Sequence, residues 1–367
     1  MRTVEIPLKE NAYKVFVGSE NVSQLFDYAS KQNLNKNVFA VIDKNVFKLH
    51  KTKLQNVFSK FKGKFNFIIV EPSESDKSFV TLQNIFTGLL KNNYTRDTLL
   101  IAIGGGIIGD ITGFAASIFA RGVQYVQIPT TLLAAVDSSV GGKTGINFND
   151  TKNIIGSFYQ PKFVLIDSVF FNTLPEEEII CGIGEIVKYA YLTDDSFFSF
   201  VKNNLAKFRE LDKSILERVI LSSIKFKANV VVEDEKETNL RKILNLGHTF
   251  AHAIEVEQKH KIKHGEAVII GIACSLFLSN TLSLLNDEKL AELLSLLIDF
   301  NRLISIDEYN KNSIYKNMFR DKKNSGNVVK FVLLKDIGKI LIDVEAEKEQ
   351  VIYSIENGIG LFTKTYV

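Results

Sequence analysis

Four short apolar runs, each ending in a polar or glycine-rich segment, restrict this chain more than any other feature. Residues 38–42 (VFAVI), 65–70 (FNFIIV), 99–103 (LLIAI) and 125–128 (YVQI) have strand length and composition, and residues 45–59 and 79–92 show helical apolar spacing. Strands separated by helices pair side by side in the same direction, so the pattern predicts a parallel α/β sheet. Ligands of such sheets settle at the C-terminal strand ends. Four loops therefore become candidates: Asp43-Lys44-Asn45, then Glu71 and the run Pro72, Ser73, Glu74, Ser75, Asp76, Lys77, then the glycines after residue 103, and finally Pro129-Thr130-Thr131.

The third loop reads Gly104-Gly105-Gly106-Ile107-Ile108-Gly109-Asp110 and fits GxGxxG through Gly104, Gly106 and Gly109. Following a strand and opening a helix, its amides can cradle a pyrophosphate. It equally suits a tight strand-to-helix turn. It follows the third strand rather than the first, and no acidic residue stands about 20 positions on to hold a ribose. Asp43 can supply that contact, or it can cap the helix after it. Thr130 and Thr131 add hydroxyls on the same edge.

The next segment, AAVDSSVGGKTGINFNDTKN over 134–153, reads as loop-rich. Its GGKTG resembles the end of a phosphate-binding P-loop, but the position five before Gly142 is Asp137 where a glycine is required. Lys143 and Lys152 remain available as anion anchors, against the ordinary solvated role of a surface lysine.

After residue 167 the pattern turns almost wholly helical, and Thr173-Leu174-Pro175 carries a cap and an early helical proline. The chain thus divides into an α/β domain over 1–173 and a mainly α-helical domain over 174–367. Glu185 and Lys188 stand three apart among apolar neighbours, and spacing alone favours an ion pair over a metal ligand. Helical runs cover 215–232, 243–256, 267–285 and 289–304, with Lys227, Arg241 and Asn245 on or beside them; 328–334 reads as a strand after Arg320-Asp321-Lys322-Lys323.

Four of the five histidines fall between His248 and His264. His248 and His252, four apart in a helical pattern, project from one face and can share a divalent metal. His264 opens the following helix and is the nearest third ligand. Imidazoles with a carboxylate suit Zn²⁺ better than Mg²⁺ or Ca²⁺. Spacing does not say which histidine is ligand and which carries protons.

Composition excludes several partners. At 367 residues with 46% hydrophobic content the chain fills about two cores, and a formal charge of +3 from 45 basic and 42 acidic residues gives no field for nucleic acid or a membrane surface. Two cysteines, Cys181 and Cys274, in separate apolar contexts make no disulfide framework. With no apolar leader and no membrane-length run, a cytoplasmic location is expected.

Taken in order, GGGIIGD, ARGVQYVQIPTTLLAAVDSSVGGKTGIN, KNIIGSFYQP, GEIVKYA, LRKILNLGHTFAHAIE and HGEAV resemble the 3-dehydroquinate synthase family, from about residue 38 to residue 337. The resemblance implies a nucleotide-binding α/β domain followed by a helical metal-binding domain. It implies an NAD- and metal-dependent lyase that converts 3-deoxy-D-arabino-heptulosonate 7-phosphate to 3-dehydroquinate and phosphate. Zinc is the implied ion, with Co²⁺ as an alternative, and Glu185, His248 and His264 fall at the ligand positions, which overrides the ion-pair reading of Glu185. His252 falls at the acid–base histidine.

The same likeness places Lys143, Lys188, Lys227, Arg241, Asn245 and one of Lys322 or Lys323 on an anionic sugar phosphate, with Asp137 and Lys152-Asn153 nearby. Arg121 matches an arginine supplied by a second subunit, so a homodimer is implied. For NAD it implies Asp43, Asn45, Pro72, Ser73, Glu74, Ser75, Asp76 and Lys77. Gly106, Ile107, Ile108, Gly109 and Asp110 follow, then Thr130, Thr131, Lys143 and Lys152, and last Phe170, Phe171, Asn172 and Thr173. Ser73 and Ala251 stand where the family has glycines. Rival readings are a sister sugar-phosphate cyclase, a metal-dependent polyol dehydrogenase, and a non-catalytic descendant.

Overall fold

Residues 1–34, 36–149, 151–319 and 328–363 are described by a computed structural model, and their contacts separate into two units. Met1–Ile179 and Leu211–Lys236 form the first; Ile180–Glu210 and Glu237–Val367 form the second.

The first unit opens with β1 (Arg2–Ile6), β2 (Tyr13–Gly18) and α1 (Leu25–Lys31). The expected alternation follows as β3 (Asn37–Asp43), α2 (Lys44–Phe58), β4 (Phe65–Val70), α3 (Phe79–Lys91), β5 (Thr98–Gly104), α4 (Gly106–Ile118) and β6 (Gln124–Pro129). A hairpin of β7 (Lys143–Phe148) and β8 (Thr151–Phe158) then precedes β9 (Phe163–Asp167). Seven strands make one sheet in the order β1-β2-β9-β6-β5-β3-β4, parallel except for the β1–β2 pair.

Alternate residues feed the two faces: Ala40, Ile42, Ile101 and Ile103 pack into one core, Phe39, Val41, Leu100 and Ala102 into the other. Both faces are covered, which is why these strands read as continuous apolar runs. The β7–β8 hairpin occupies the segment expected to be loop-rich. Its glycines permit close pairing: a Cβ on Gly156 would lie 2.0 Å from the Thr144 carbonyl, and one on Gly145 2.6 Å from that of Ile155.

The boundary in the chain falls within α5 (Glu176–Leu192), followed by α6 (Asp195–Lys202) and α7 (Leu205–Arg209). Next, α8 (Lys213–Glu233) packs on β1, β2 and the π-helical turn Ala134–Ser138, so Lys227 belongs to the first unit. The second unit continues with α9 (His248–Glu257), α10 (His264–Thr281), α11 (Asp287–Leu294) and α12 (Lys311–Met318), a hairpin of β10 (Phe331–Asp336) and β11 (Lys339–Val344), and α13 (Lys348–Gly360). Its centre is α10, buried on nearly every side and packed against α9 and α13.

Two expected helices are broken. The run over 243–256 divides into a 3₁₀ turn, Leu240–Asn245, and α9, because Gly247 at φ +77° takes the left-handed conformation that glycine tolerates. The run over 289–304 becomes α11 and a 3₁₀ turn, Ile298–Arg302, with no glycine or proline to mark the break. Among the described residues no helix is long and apolar enough to cross a membrane.

Candidate active site

In the first unit, β5 delivers its chain into Gly105, which caps α4, so the first-turn amides of that helix lie at the sheet's C-terminal edge. Side chains at the loop would be tightly placed: a Cβ on Gly106 would stand 3.0 Å from Ser138 Oγ, and one on Gly105 3.0 Å from Thr131 Cγ2. Thr130, 1% exposed after β6, has a buried hydroxyl oxygen with no protein partner. Glycine amides at a helix start and an unmatched buried hydroxyl make a set that a pyrophosphate-bearing nucleotide fits.

Asp43 ends β3 and caps α2, its Oδ1 accepting from the amides of Asn45 at 2.7 Å and Val46 at 3.2 Å. Burial raises its carboxyl pKa, opposed by those two amides. The capping alternative is thus realised. In the β4–α3 loop, Ser73 Oγ donates to Asp76 Oδ2 at 2.5 Å, and Glu74 Oε2 accepts from Asn147 at 2.8 Å. Lys77 is buried, with its ammonium on Asp110 Oδ2 at 2.5 Å and on Asn153 Oδ1. One side chain thereby ties the loop to α4 and to the β7–β8 hairpin.

The other first-unit candidates are spread along this edge and beyond it. Lys227 on α8 donates to Asp137 Oδ1 at 2.9 Å and to the Asp137 carbonyl at 2.7 Å. Lys143 and Lys152 are exposed on the hairpin. Phe170 and Phe171 are core residues, while Asn172 and Thr173 are exposed, with Thr173 Oγ1 2.7 Å from His50 Nε2. Arg121 is exposed in the turn after α4.

In the second unit, three candidate ligands converge, one carboxylate and two imidazoles. Glu185, 1% exposed at the middle of α5, directs Oε1 to His264 Nε2 at 3.2 Å and His248 Nε2 at 3.6 Å. Two donors ~2.1 Å from one ion at a tetrahedral angle stand about 3.4 Å apart, so the spacing matches zinc. Three such ligands would leave one position of a tetrahedral ion open. Glu185 Oε2 meanwhile pairs with the buried ammonium of Lys188, so the ion pair is present and leaves Oε1 available to a metal. A second group, His252, Glu255 and His264, also has ligand atoms within 4.8 Å of one another.

The charge balance points the same way. Burial draws the His264 imidazole pKa down, but hydrogen bonds to Glu185 and Glu255 outweigh it and lift it to about 10. Where no metal is bound, a proton serves as the cation those carboxylates require.

Close backbone approach explains the convergence. Each of the three residues has a glycine beside it: Gly184, Gly247 and Gly265. A Cβ on Gly184 would fall 2.3 Å from the Gly265 carbonyl, and one on Gly265 2.0 Å from that of Cys181, so α5 and α10 meet backbone to backbone. A Cβ on Gly247 would meet the Ile272 amide nitrogen at 2.8 Å. Nearby, Arg241 is buried in the 3₁₀ turn and Asn245 Nδ2 donates to Glu237 Oε1 at 3.1 Å. Lys322 and Lys323 lie outside the described residues.

Glu255 is the residue that the sequence reading missed. Its signal was present: His248, His252 and Glu255 follow i, i+4, i+7, one face of α9.

Residues 67–181 match the family description "3-dehydroquinate synthase N-terminal" and residues 182–324 match "3-dehydroquinate synthase C-terminal". The chain belongs to the 3-dehydroquinate synthase family. A curated 3-dehydroquinate synthase of Pelagibacter ubique is 40% identical over 350 residues, which are 92% of this chain and 94% of that one. Among solved structures, a 2-deoxy-scyllo-inosose synthase complexed with carbaglucose-6-phosphate, NAD⁺ and Co²⁺ superposes with a TM-score of 0.89 at 24% identity, covering 96% of this chain and 99% of that one. The 2-epi-5-epi-valiolone synthase of Streptomyces hygroscopicus, with NAD⁺ and Zn²⁺ bound, gives 0.84 at 25%, covering 96% and 98%. The family is thus one of enzymes, and the expected fold class, an α/β part with a helical C-terminal part, holds.

Proposed function

We propose that this enzyme converts 3-deoxy-D-arabino-heptulosonate 7-phosphate to 3-dehydroquinate and inorganic phosphate, as an NAD- and divalent-metal-dependent lyase. The observation that carries the reading is the convergence of His248 and His264 on Glu185 in a chain matched along both halves to this family. Residues 1–173 would serve NAD and residues 174–367 the metal and substrate, with Lys227 contributed from the segment that groups with the first unit.

When bound, NAD would supply reversible hydride acceptance and the metal, held by Glu185, His248 and His264, a Lewis acid for substrate oxygens. The glycine amides at the start of α4 would take the cofactor's pyrophosphate, and Thr130 would receive a partner for its hydroxyl. Asp43, holding α2 through Oδ1, would offer its other oxygen to a ribose hydroxyl.

His252 would exchange a proton with the substrate at its imidazole; a positioned base is worth about 10²–10⁴-fold in rate. The anionic ends of the substrate call for charged donors. Lys143, Lys152, Lys188, Lys227 and Arg241 would supply them, with Asn245 as a neutral donor. Lys188 and Lys227 already hold the carboxylates of Glu185 and Asp137, which fixes their ammonium groups in place.

Arg121 would act on the substrate of a second copy of the chain, within a homodimer. Its surroundings support this: Ile118 and Phe158 are exposed, and Ser117 and Ser157 beside them are hydrogen-bonded at 2.8 Å. A sister cyclase is the weaker reading, since identity to those proteins is 24–25% against 40%.

Phosphate release should be measured on the heptulosonate phosphate, sedoheptulose 7-phosphate and glucose 6-phosphate in parallel. Turnover is expected on the carboxylate-bearing substrate alone. Turnover confined to a neutral sugar phosphate would overturn the assignment.

A further inference from the structure

Two groups of possible metal ligands share His264, and its ring has two different nitrogens to give them. Nε2 lies 3.2 Å from Glu185 Oε1; Nδ1 lies 3.3 Å from Glu255 Oε1. An imidazole bound to one ion through Nε2 carries its proton on Nδ1, and that proton needs an acceptor. Glu255, 6% exposed on α9, is placed to be it.

His248 shows the same arrangement with a different acceptor. Its Nδ1 is 3.1 Å from the carbonyl of Leu246, which can only accept. The chain break at Gly247 turns that carbonyl towards the ring instead of into a continuous helix. In its neutral form His248 therefore carries its hydrogen on Nδ1 and a lone pair on Nε2. Both rings then present Nε2 to one oxygen of Glu185, one steered by a backbone carbonyl and the other by a carboxylate.

We infer that Glu255 is a positioning residue for the metal site, which accepts the Nδ1 hydrogen of His264 and so aims Nε2 at the ion held with Glu185 and His248. The inference rests on the metal reading given above. It competes with the alternative in which Glu255 is itself a ligand, where the ion would lie on the Nδ1 side of His264.

Chelator-treated protein, titrated with Co²⁺ and followed by visible absorption, tests this, with Zn²⁺ affinity taken from competition against a chromophoric chelator. Four proteins are compared: unsubstituted, Glu255→Gln, Glu255→Asp and Glu185→Gln. Glu255→Gln should still bind one ion per chain, about 10–100-fold more weakly and with a shifted Co²⁺ spectrum, because a second-layer partner tunes rather than makes the site. Glu255→Asp should recover part of the affinity. Glu185→Gln should lose far more than either.

Affinity and spectrum unchanged in both Glu255 variants would overturn the inference. So would loss of all binding in Glu255→Gln with binding kept in Glu185→Gln, the signature of Glu255 as a ligand. No Co²⁺ uptake by the unsubstituted protein would overturn the metal reading itself, and the role of Glu255 with it.

Discussion

Glu185 is surrounded so completely that its two oxygens have separate tasks. Oε2 is neutralised by Lys188, which lets a buried carboxylate persist, while Oε1 faces the histidines. His248→Ala should therefore release the metal and abolish turnover. His252→Ala should retain one ion per chain and lose about 10²–10⁴-fold in kcat. Metal analysis of the two purified variants checks this, and equal metal content in both would contradict the division of roles.

A pH dependence follows from His264. With Glu185 and Glu255 holding its folded-state pKa at about 10, and an unfolded imidazole near 6.5, protonation stabilises the metal-free fold. That contribution is complete below about pH 6.5 and is lost as pH rises through about 10. The melting temperature of chelated protein, less that of His264→Asn, should fall across this window. Bound Zn²⁺ should flatten the fall, because a metal-bound ring has no such proton to lose. A difference that stays level or grows without metal would contradict the assignment.

At the scale of elements, the site depends on α5 and α10 touching through glycine. Gly265→Ala places a Cβ 2.0 Å from the Cys181 carbonyl, a backbone atom that cannot swing aside. Overpacking of this kind costs about 1–3 kcal/mol. Its effect should reach the metal, since α10 begins with His264: reduced zinc occupancy at matched protein concentration is expected, and full occupancy would show that the helices can separate without moving the ligands.

The parallel strands were legible because burial on both faces leaves continuous apolar runs bounded by turn residues. Less legible were elements that depend on distant partners. The β7–β8 hairpin has glycines where a propensity reading sees loop, yet those glycines serve close strand pairing. The break at Gly247 was hidden inside a good helical pattern. Glu255 has a visible i+7 spacing to His248, but its contact with His264 comes from the tertiary approach of α10. For Glu185, spacing alone suggested an ion pair, which is present, but the approach of α10 that adds the histidines is tertiary.

Over the whole molecule, the proposed homodimer would have a second copy of the 41.3 kDa chain lend Arg121. Arg121→Ala and His252→Ala should each be nearly inactive. Mixed and reassembled, they should recover about one quarter of full activity, because half the dimers then carry one complete site. No recovery from a confirmed heterodimer would contradict the exchange of Arg121.

The most direct measurement of the central claim is phosphate release from 3-deoxy-D-arabino-heptulosonate 7-phosphate with NAD far below substrate, with and without chelator. Phosphate should exceed NAD many times over with no accumulation of NADH, stop on chelation and return with Zn²⁺. Phosphate limited to the NAD supplied, NADH rising with turnover, or indifference to chelation would contradict it.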